Sequence, residues 1–227
     1  RVSQICECLP GANCGGCGFS GCEGYAKAIV SDGVPINKCA AGGQIAADNI
    51  AEIMGVKAGK TADKKAFVMC SGNSCSAKEK YTYYGVRTCE AAAKLAGGPK
   101  GCAFSCVGFG SCEAVCKFRV IKIIDNVAVV DRDKCRGCGT CVSQCPKKVI
   151  QLIDTHHLYA VACSSKDIGK DTVKVCSAGC IGCGLCVKNC ESDAISLVDN
   201  HAVINYEKCI SCGVCVEKCP RKIIKIM

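Results

Sequence analysis

The sequence predicts an α+β protein in which one small four-cysteine domain precedes two tandem copies of a cysteine-rich module. Cysteine accounts for 27 of the 227 residues, whereas Trp is absent and aromatic residues make up only 5% of the chain. A core this poor in large apolar side chains needs an additional staple to fold. Cysteine spacing and an internal repeat indicate that this staple is inorganic.

The second half of the chain contains the repeat. Residues 116–153 align without gaps on residues 190–227, and both stretches end in a Cys-Pro pair followed by an apolar and basic tail. The same offset relates several upstream thiols of the two copies, namely Cys89 to Cys163, Cys102 to Cys176, Cys106 to Cys180 and Cys112 to Cys186. The duplicated unit therefore extends well beyond a single cysteine loop.

Each copy of the repeat predicts a β-hairpin and a final strand. Residues 119–130 and 194–204 alternate around Val and Ile and are interrupted by Asp-Asn pairs, which favour tight turns. Residues 147–153 and 221–227 predict the final strands. Strand, cysteine loop, short helix, hairpin, cysteine loop and strand is the layout of a small bacterial ferredoxin.

The cysteine loops have the spacing that binds an iron–sulfur cubane. Each copy carries a C-x2-C-x2-C-x3-C-P run, beginning at Cys135 and at Cys209. Three thiolates at this spacing can reach three irons, and backbone N–H groups of the loop stabilise the negative charge. Gly139 and Gly213 supply a residue that is free to adopt positive φ. The sequence therefore predicts a small N-terminal iron–sulfur domain followed by two tandem bacterial 2[4Fe-4S] ferredoxin-like modules.

Four cluster sites are predicted from the two copies. In two-cluster ferredoxins the fourth cysteine of each run ligates the other cluster. Phe109 stands where the second copy has Cys183, so we expect the first copy to use Cys102 in place of the missing ligand. The predicted sets are Cys135, Cys138, Cys141 with Cys116; Cys102, Cys106, Cys112 with Cys145; Cys209, Cys212, Cys215 with Cys190; and Cys180, Cys183, Cys186 with Cys219.

A fifth site is predicted near the N-terminus, where a Gly-rich loop carries three thiols and Pro35 turns the chain back. Its ligands would be Cys14, Cys17, Cys22 and Cys39. A sixth [4Fe-4S] cluster is a further hypothesis, with Cys70, Cys89, Cys163 and Cys176 as ligands and Cys75 as a substitute. The remaining thiols, Cys6 and Cys8, are expected to act as small apolar side chains.

Disulfides and zinc are the two other uses for so many thiols. The number of cysteines is odd, and a disulfide within a tight run would be strained. Zinc held by four cysteines prefers two separate pairs over a triplet with a distant fourth ligand. The spacing therefore favours iron–sulfur clusters over both.

The predicted domains follow from these sites. Residues 1–56 form the N-terminal [4Fe-4S] domain, with helices at 23–30 and 40–54. Residues 57–65 are a charged linker, 66–154 the first ferredoxin-like module with an N-terminal extension, and 155–227 the second module.

The formal net charge of +9 does not indicate nucleic-acid binding. An oxidised cubane with four thiolates carries a charge of about −2, so five or six clusters bring the net charge of the holoprotein to about −1 to −3. The sequence contains no G-x-G-x-x-G after a strand, no P-loop and no acid–base constellation. We therefore expect one-electron transfer, with no catalytic acid or base, no nucleic-acid partner and no nicotinamide bound by this chain.

The order of these motifs resembles that of a known family. The resemblance rests on PGANCGGCGFSGC with Cys39, then CEAAAKLAGGPKGCAFSCVGFGSC, then CIGCGLCVKNC and the two CxxCGxC…CP runs. In this order they are similar to the B subunit of the Rnf complex, a membrane-bound, ion-translocating ferredoxin:NAD oxidoreductase. The resemblance covers essentially the whole chain. It implies that reduced ferredoxin delivers electrons to the clusters and that other Rnf subunits in the membrane receive them.

The resemblance also implies a location at the cytoplasmic face of the cell membrane. Family members usually begin with a membrane helix, so we expect anchoring by a segment absent from this chain and by partner subunits. Basic pairs at Lys147-Lys148 and Arg221-Lys222 are candidates to steer an acidic ferredoxin. The alternatives are a free-standing polyferredoxin, an electron-transfer subunit of another reductase or hydrogenase, and a zinc-dependent scaffold.

Overall fold

Three helices form the N-terminal part of the chain. Their shared core contains Ile5, Ile29 and Ile50, which are almost completely buried. Both helices predicted here are confirmed, with small shifts at their ends. In the computed structural model, which describes residues 1–227, the three are α1 (Val2–Cys8), α2 (Cys22–Asp32) and α3 (Gly43–Met54).

A buried tyrosine fixes the loop that leads to Cys39. The Tyr25 hydroxyl lies in the helical core and donates to the backbone oxygen of Pro35 at 2.7 Å. The same hydroxyl accepts from the backbone N–H of Lys38 at 3.1 Å. Because Lys38 directly precedes Cys39, these two hydrogen bonds hold the last thiol of the predicted N-terminal site beside α2.

Two modules follow, each with two separate two-stranded antiparallel sheets. In each module the first strand pairs with the last, and the two middle strands form a hairpin. The predicted hairpins and final strands are confirmed. The strands are β1 (Lys64–Val68), β2 (Ile121–Ile124), β3 (Val127–Val130) and β4 (Ile150–Asp154) in the first module, and β5 (Tyr159–Val161), β6 (Ile195–Val198), β7 (His201–Ile204) and β8 (Ile224–Ile226) in the second.

Strand β1 begins inside the segment that the sequence predicts to be a linker. Lys64 pairs with Asp154 and Lys65 with Ile153, so the end of the predicted 57–65 linker is part of the sheet. The alternation of Ile150 and Leu152 in β4 favours this register, because Ile150 lies in the core of the first module and Leu152 packs against it. Because β1 pairs with β4, which is distant in sequence, the strand extends into a segment whose charge predicts a linker.

The remaining six helices are short and lie next to the cysteine loops. Four of them begin directly after a glycine with positive φ, at Gly110, Gly139, Gly184 and Gly213. The longest helix of the chain, α3, has 12 residues, and none has both the length and the apolar character needed to cross a bilayer. The six are α4 (Cys89–Lys94), α5 (Ser111–Ala114), α6 (Thr140–Gln144), α7 (Gly169–Val175), α8 (Leu185–Lys188) and α9 (Val214–Lys218).

The loop of the N-terminal site packs directly against the first module. A Cβ atom added to Gly16 would overlap the backbone oxygen of Cys138. On the other side of this contact, the Thr140 hydroxyl donates to the backbone oxygen of Cys14 at 3.1 Å. The loop of the N-terminal site therefore touches a cysteine loop of the module through backbone atoms, which cannot move aside as a flexible side chain can.

We expect Gly16→Ala to weaken this contact. The added methyl group meets a fixed backbone oxygen, so the loops must separate at a cost of about 1–3 kcal/mol. Protease cleavage of holoprotein within residues 57–63 measures the separation and should become faster. Gly24→Ala is the matched control, because this residue lies in α2, away from the cleaved segment, and its new Cβ meets only the Ser20 side chain. Equal cleavage of both variants and wild type would show that the contact does not hold the two parts together.

Candidate metal centres

The N-terminal thiols converge on one cavity. A small cavity lies between the loop after α1 and the start of α2, and it is lined by Cys14, Cys17, Cys22 and Cys39. The backbone N–H of Gly42 donates to the Cys39 sulfur at 3.3 Å. These four thiols, here called site 1, are the set that the sequence predicts.

A second four-thiol cavity lies in the first module. It is lined by the cysteine loop before α6 together with Cys116. The backbone N–H of Ala66, in β1, donates to the Cys135 sulfur at 3.4 Å. Site 2 is therefore formed by Cys116, Cys135, Cys138 and Cys141, again the set that the sequence predicts.

The second module brings its thiols together in two groups. One group lines a small cavity and consists of Cys180, Cys183, Cys186 and Cys219, here called site 5. In the other group, burial is the largest cause that raises the pKa of Cys215, and the charges of neighbouring thiols act in the same direction. Those neighbours complete site 6, which consists of Cys190, Cys209, Cys212 and Cys215. The crossover grouping predicted for this module matches both sites.

The arrangement of the first module differs from the prediction at two thiols. Cys102 is predicted to join Cys106, Cys112 and Cys145, but it lines a separate small cavity. The other thiols of that cavity come from both modules, and site 4 consists of Cys70, Cys102, Cys163 and Cys176. The sixth cluster predicted from the sequence has Cys89 as a ligand, and in the structure Cys102 takes the place of Cys89.

Cys89 occupies the position that the sequence assigns to Cys102. It is the first residue of α4, where the Thr88 side chain caps the helix and the Ser111 hydroxyl accepts from the Cys89 backbone N–H at 2.9 Å. Ser111 directly precedes Cys112, so this hydrogen bond brings the two thiols to one place. After burial, the charges of Cys106, Cys89 and Cys145 raise the pKa of Cys112, and these four neighbouring thiols form site 3.

An insertion in the first module explains the exchange. Cys106 donates its backbone N–H to the Cys70 sulfur at 3.4 Å, and Cys180, its repeat equivalent, donates to Cys163 at 3.2 Å. Cys70 is therefore the structural equivalent of Cys163, although the gapless alignment pairs Cys89 with Cys163. The signal in the sequence is the position of Cys70 shortly after a strand, as Cys163 follows β5.

Burial is the main cause of the raised pKa values among the thiols. It is the largest cause that raises the pKa of Cys112 and Cys141 to about 12, with the charges of neighbouring cysteines acting in the same direction. Burial also raises the pKa of Cys106 and Cys176, and there the Lys100 ammonium acts in the opposite direction. Iron binding replaces the protons of such thiols, which would otherwise remain bound at neutral pH.

The donor set fits a cluster better than it fits a single ion. No group of three or more His, Cys, Asp or Glu side chains is arranged closely enough to hold one metal ion. Instead, sites 1, 2, 4 and 5 each place four thiols around a cavity, and backbone N–H groups point at the sulfurs. Thiolates around a shared volume with backbone donors are the environment of a [4Fe-4S] cubane.

The six sites form one linear series. Site 1 touches site 2 at Thr140, which bonds Cys14 on one side and lies 3.4 Å from the Cys138 sulfur on the other. Sites 2 and 3 share the core of the first module, and sites 5 and 6 share that of the second. Site 4 connects the modules, through the hydrogen bonds from Cys106 and Cys180 described above.

Three thiols lie outside these groups. Cys6 and Cys8 are in α1, where both are partly buried beside the N-terminal core. Cys8 donates to the backbone oxygen of Gln4 at 3.3 Å. Cys75 is exposed and lines none of the four-thiol cavities.

Comparison with protein families defines the class to which this arrangement belongs. The chain matches an Fe–S cluster family at residues 9–41, a 4Fe-4S binding domain at 128–151 and a 4Fe-4S dicluster domain at 179–224. It is therefore an iron–sulfur protein with an N-terminal Fe–S domain and ferredoxin-type 4Fe-4S domains. The matched residues include all the thiols of sites 1, 5 and 6.

Whole-chain relatives give the family. The chain is 39% identical to the B subunit of the ion-translocating oxidoreductase complex of Methanosarcina acetivorans, over 99% of this chain and 86% of the relative. It belongs to this family of Rnf-type B subunits. It is 44% identical over 136 residues to the B subunit of the Na(+)-translocating ferredoxin:NAD(+) oxidoreductase complex of Acetobacterium woodii, and 42% identical over 180 residues to the proton-translocating counterpart of Clostridium ljungdahlii. The matches span 60% and 78% of this chain, and 41% and 63% of those two relatives.

Proposed function

We propose that this chain is the electron-transfer subunit of a membrane-bound, ion-translocating ferredoxin:NAD oxidoreductase. It accepts electrons from reduced ferredoxin and delivers them to other Rnf subunits at the cytoplasmic face of the membrane. The linear order of six four-thiol sites carries this proposal. A series of touching four-thiol sites suits the passage of electrons from one cluster to the next.

Each site has the residues to hold one [4Fe-4S] cluster. When bound, such clusters supply one-electron transfer at potentials set by burial, hydrogen bonds to sulfur and charge. The chain's own contribution is to fix the thiols, to direct N–H groups at them and to exclude water. Site 4 is well suited to this, because Cys102, Cys163 and Cys176 are each 7% exposed.

The two ends of the second module are the more accessible part of the series. Cys183 of site 5 and Cys212 of site 6 are exposed, unlike any thiol of sites 2, 3 and 4. Electron exchange with a soluble carrier requires a short distance from the protein surface to the cluster. We therefore place ferredoxin docking near the second module.

Two of the four basic residues considered for docking are engaged within the fold. Lys147 donates to the backbone oxygen of Gly97 at 2.9 Å, and Arg221 donates to the backbone oxygens of Gly179 and Cys176 at 3.2 Å. Lys148 and Lys222 remain exposed beside the last cysteines of the two runs. These two lysines are the candidates that remain for attracting an acidic carrier.

Reduction of anaerobically purified holoprotein by reduced ferredoxin tests the proposal. Stopped-flow absorbance near about 400 nm should show rapid bleaching with ferredoxin and none with NADH alone. Lys222→Glu should slow reduction about tenfold at low salt, and the difference should vanish at high salt. Lys57→Glu, at an exposed position in the N-terminal part, makes the same charge change as a control. Bleaching by NADH, or none by ferredoxin, would contradict the proposed function.

A further inference from the structure

Lys100 is a buried cation without an acidic partner. Only 3% of its surface is exposed, and its ammonium donates to the backbone oxygens of Gly72 at 2.7 Å and Asn126 at 2.6 Å. All ion pairs of the chain within 4.0 Å involve other residues. A buried charge is costly unless something compensates it, and two carbonyl dipoles provide only part of that compensation.

The two carbonyl groups that accept from Lys100 belong to the walls of two different sites. A Cβ atom on Gly72 would lie 3.5 Å from the Cys176 sulfur and 3.6 Å from the Cys70 sulfur, both in site 4. The Asn126 oxygen lies against Gly108, in the loop that connects two thiols of site 3, and leaves no room there for a Cβ. Lys100 therefore lies between sites 3 and 4, which also touch through Cys106 and Cys70.

We propose that Lys100 is the counter-charge shared by sites 3 and 4, and that it raises the reduction potential of both. This inference rests on the proposed function, because it needs clusters at these sites. Reduction adds one electron from the neighbouring site and changes no bond, so each cubane becomes more negative by one charge. Solvent cannot supply a compensating cation at this depth, so the buried ammonium stabilises the reduced form more than the oxidised form.

The second copy of the repeat provides an internal comparison. Lys174 occupies the position equivalent to Lys100, yet its side chain is 70% exposed and pairs with Asp171 at 2.6 Å. The same residue type is therefore a solvated surface charge in one module and a buried charge between two sites in the other. This difference makes Lys174 the matched control.

Potentiometric titration of the holoprotein, followed by electron paramagnetic resonance, tests the inference. Lys100→Gln keeps a hydrogen-bond donor but removes the charge. At a fixed solution potential, this variant should lower the ratio of reduced to oxidised cluster at sites 3 and 4 about tenfold. That change is equivalent to lowering the reduction potential by about 59 mV. Lys100→Arg and Lys174→Gln should leave both potentials near those of wild type. The signals are assigned by their loss in Cys89→Ser for site 3 and Cys102→Ser for site 4.

The outcomes separate charge from structure. Unchanged potentials in Lys100→Gln would overturn the inference. If this variant loses iron from sites 3 and 4 while Lys100→Arg retains it, the charge is needed to hold both clusters, which supports a shared counter-charge. Iron loss from Lys100→Arg as well would instead make Lys100 a structural residue and refute the inference. A wild-type chain without clusters at sites 3 and 4 would refute the proposed function itself, before any variant is compared.

Discussion

The iron-free chain is expected to show no cooperative unfolding transition. The hydrophobic cores of both modules include the thiols of the sites, with Cys106, Cys112 and Cys141 in the first core and Cys180 and Cys186 in the second. Removing the clusters leaves these small cores without the groups that hold their thiols together. In small structural zinc domains metal binding supplies about 10–16 kcal/mol of folding free energy, and the metal-free chain is unfolded.

Calorimetry of protein prepared without iron under reducing conditions measures this effect. The matched control is the same preparation after reconstitution with iron and sulfide, which should regain a cooperative transition. Sharp melting of the iron-free chain would show that the apolar residues alone stabilise the fold, and that the clusters serve electron transfer without a role in stability.

Cys102→Ser and Cys89→Ser are expected to remove different clusters. Cys102→Ser should empty site 4 and leave site 3 intact, and Cys89→Ser should do the reverse, because each thiol belongs to only one of the two sites. Each variant should retain about 20 of about 24 iron atoms. Loss of site 4 should also slow electron passage between the modules, since this site is the connection between sites 3 and 5.

Iron quantification together with electron paramagnetic resonance of each variant distinguishes the two sites. Cys75→Ser is the control, because this exposed thiol lies outside all six groups, and it should retain all the iron. If Cys102→Ser instead removed the cluster held by Cys106, Cys112 and Cys145, the grouping predicted from sequence would be right and the one inferred from the structure would be wrong.

Local sequence patterns predict the hairpins and most of the four-thiol groups. Asp125-Asn126 and Asp199-Asn200 all have positive φ, the conformation that a two-residue hairpin turn with the twist of its strands requires. The ligands of sites 2, 5 and 6 lie mainly in short runs whose spacing determines which sulfurs converge. Both features are local, so they can be read without knowledge of the fold.

The ligands of sites 3 and 4 depend on contacts between distant segments. Cys70 and Cys102 reach Cys163 and Cys176 because the segment before Cys102 packs against the second module, with Ala77 bridging to Cys176. An alignment of the two copies without gaps leaves no place for the residues inserted between Cys70 and Cys102. The hydrogen bond from Lys147 to the backbone oxygen of Gly97 cannot be predicted from the sequence either, because it depends on where the inserted loop ends.

An iron anomalous difference map of anaerobically grown crystals would show at once whether the chain holds six clusters in series. Six separate peaks of cubane size are expected, one at each four-thiol site, with the peak of site 4 enclosed by Cys70, Cys102, Cys163 and Cys176. The peaks should follow one another in the order of sites 1 to 6. A map with no iron at site 4, or with Cys89 among the ligands of that site, would rule out this arrangement.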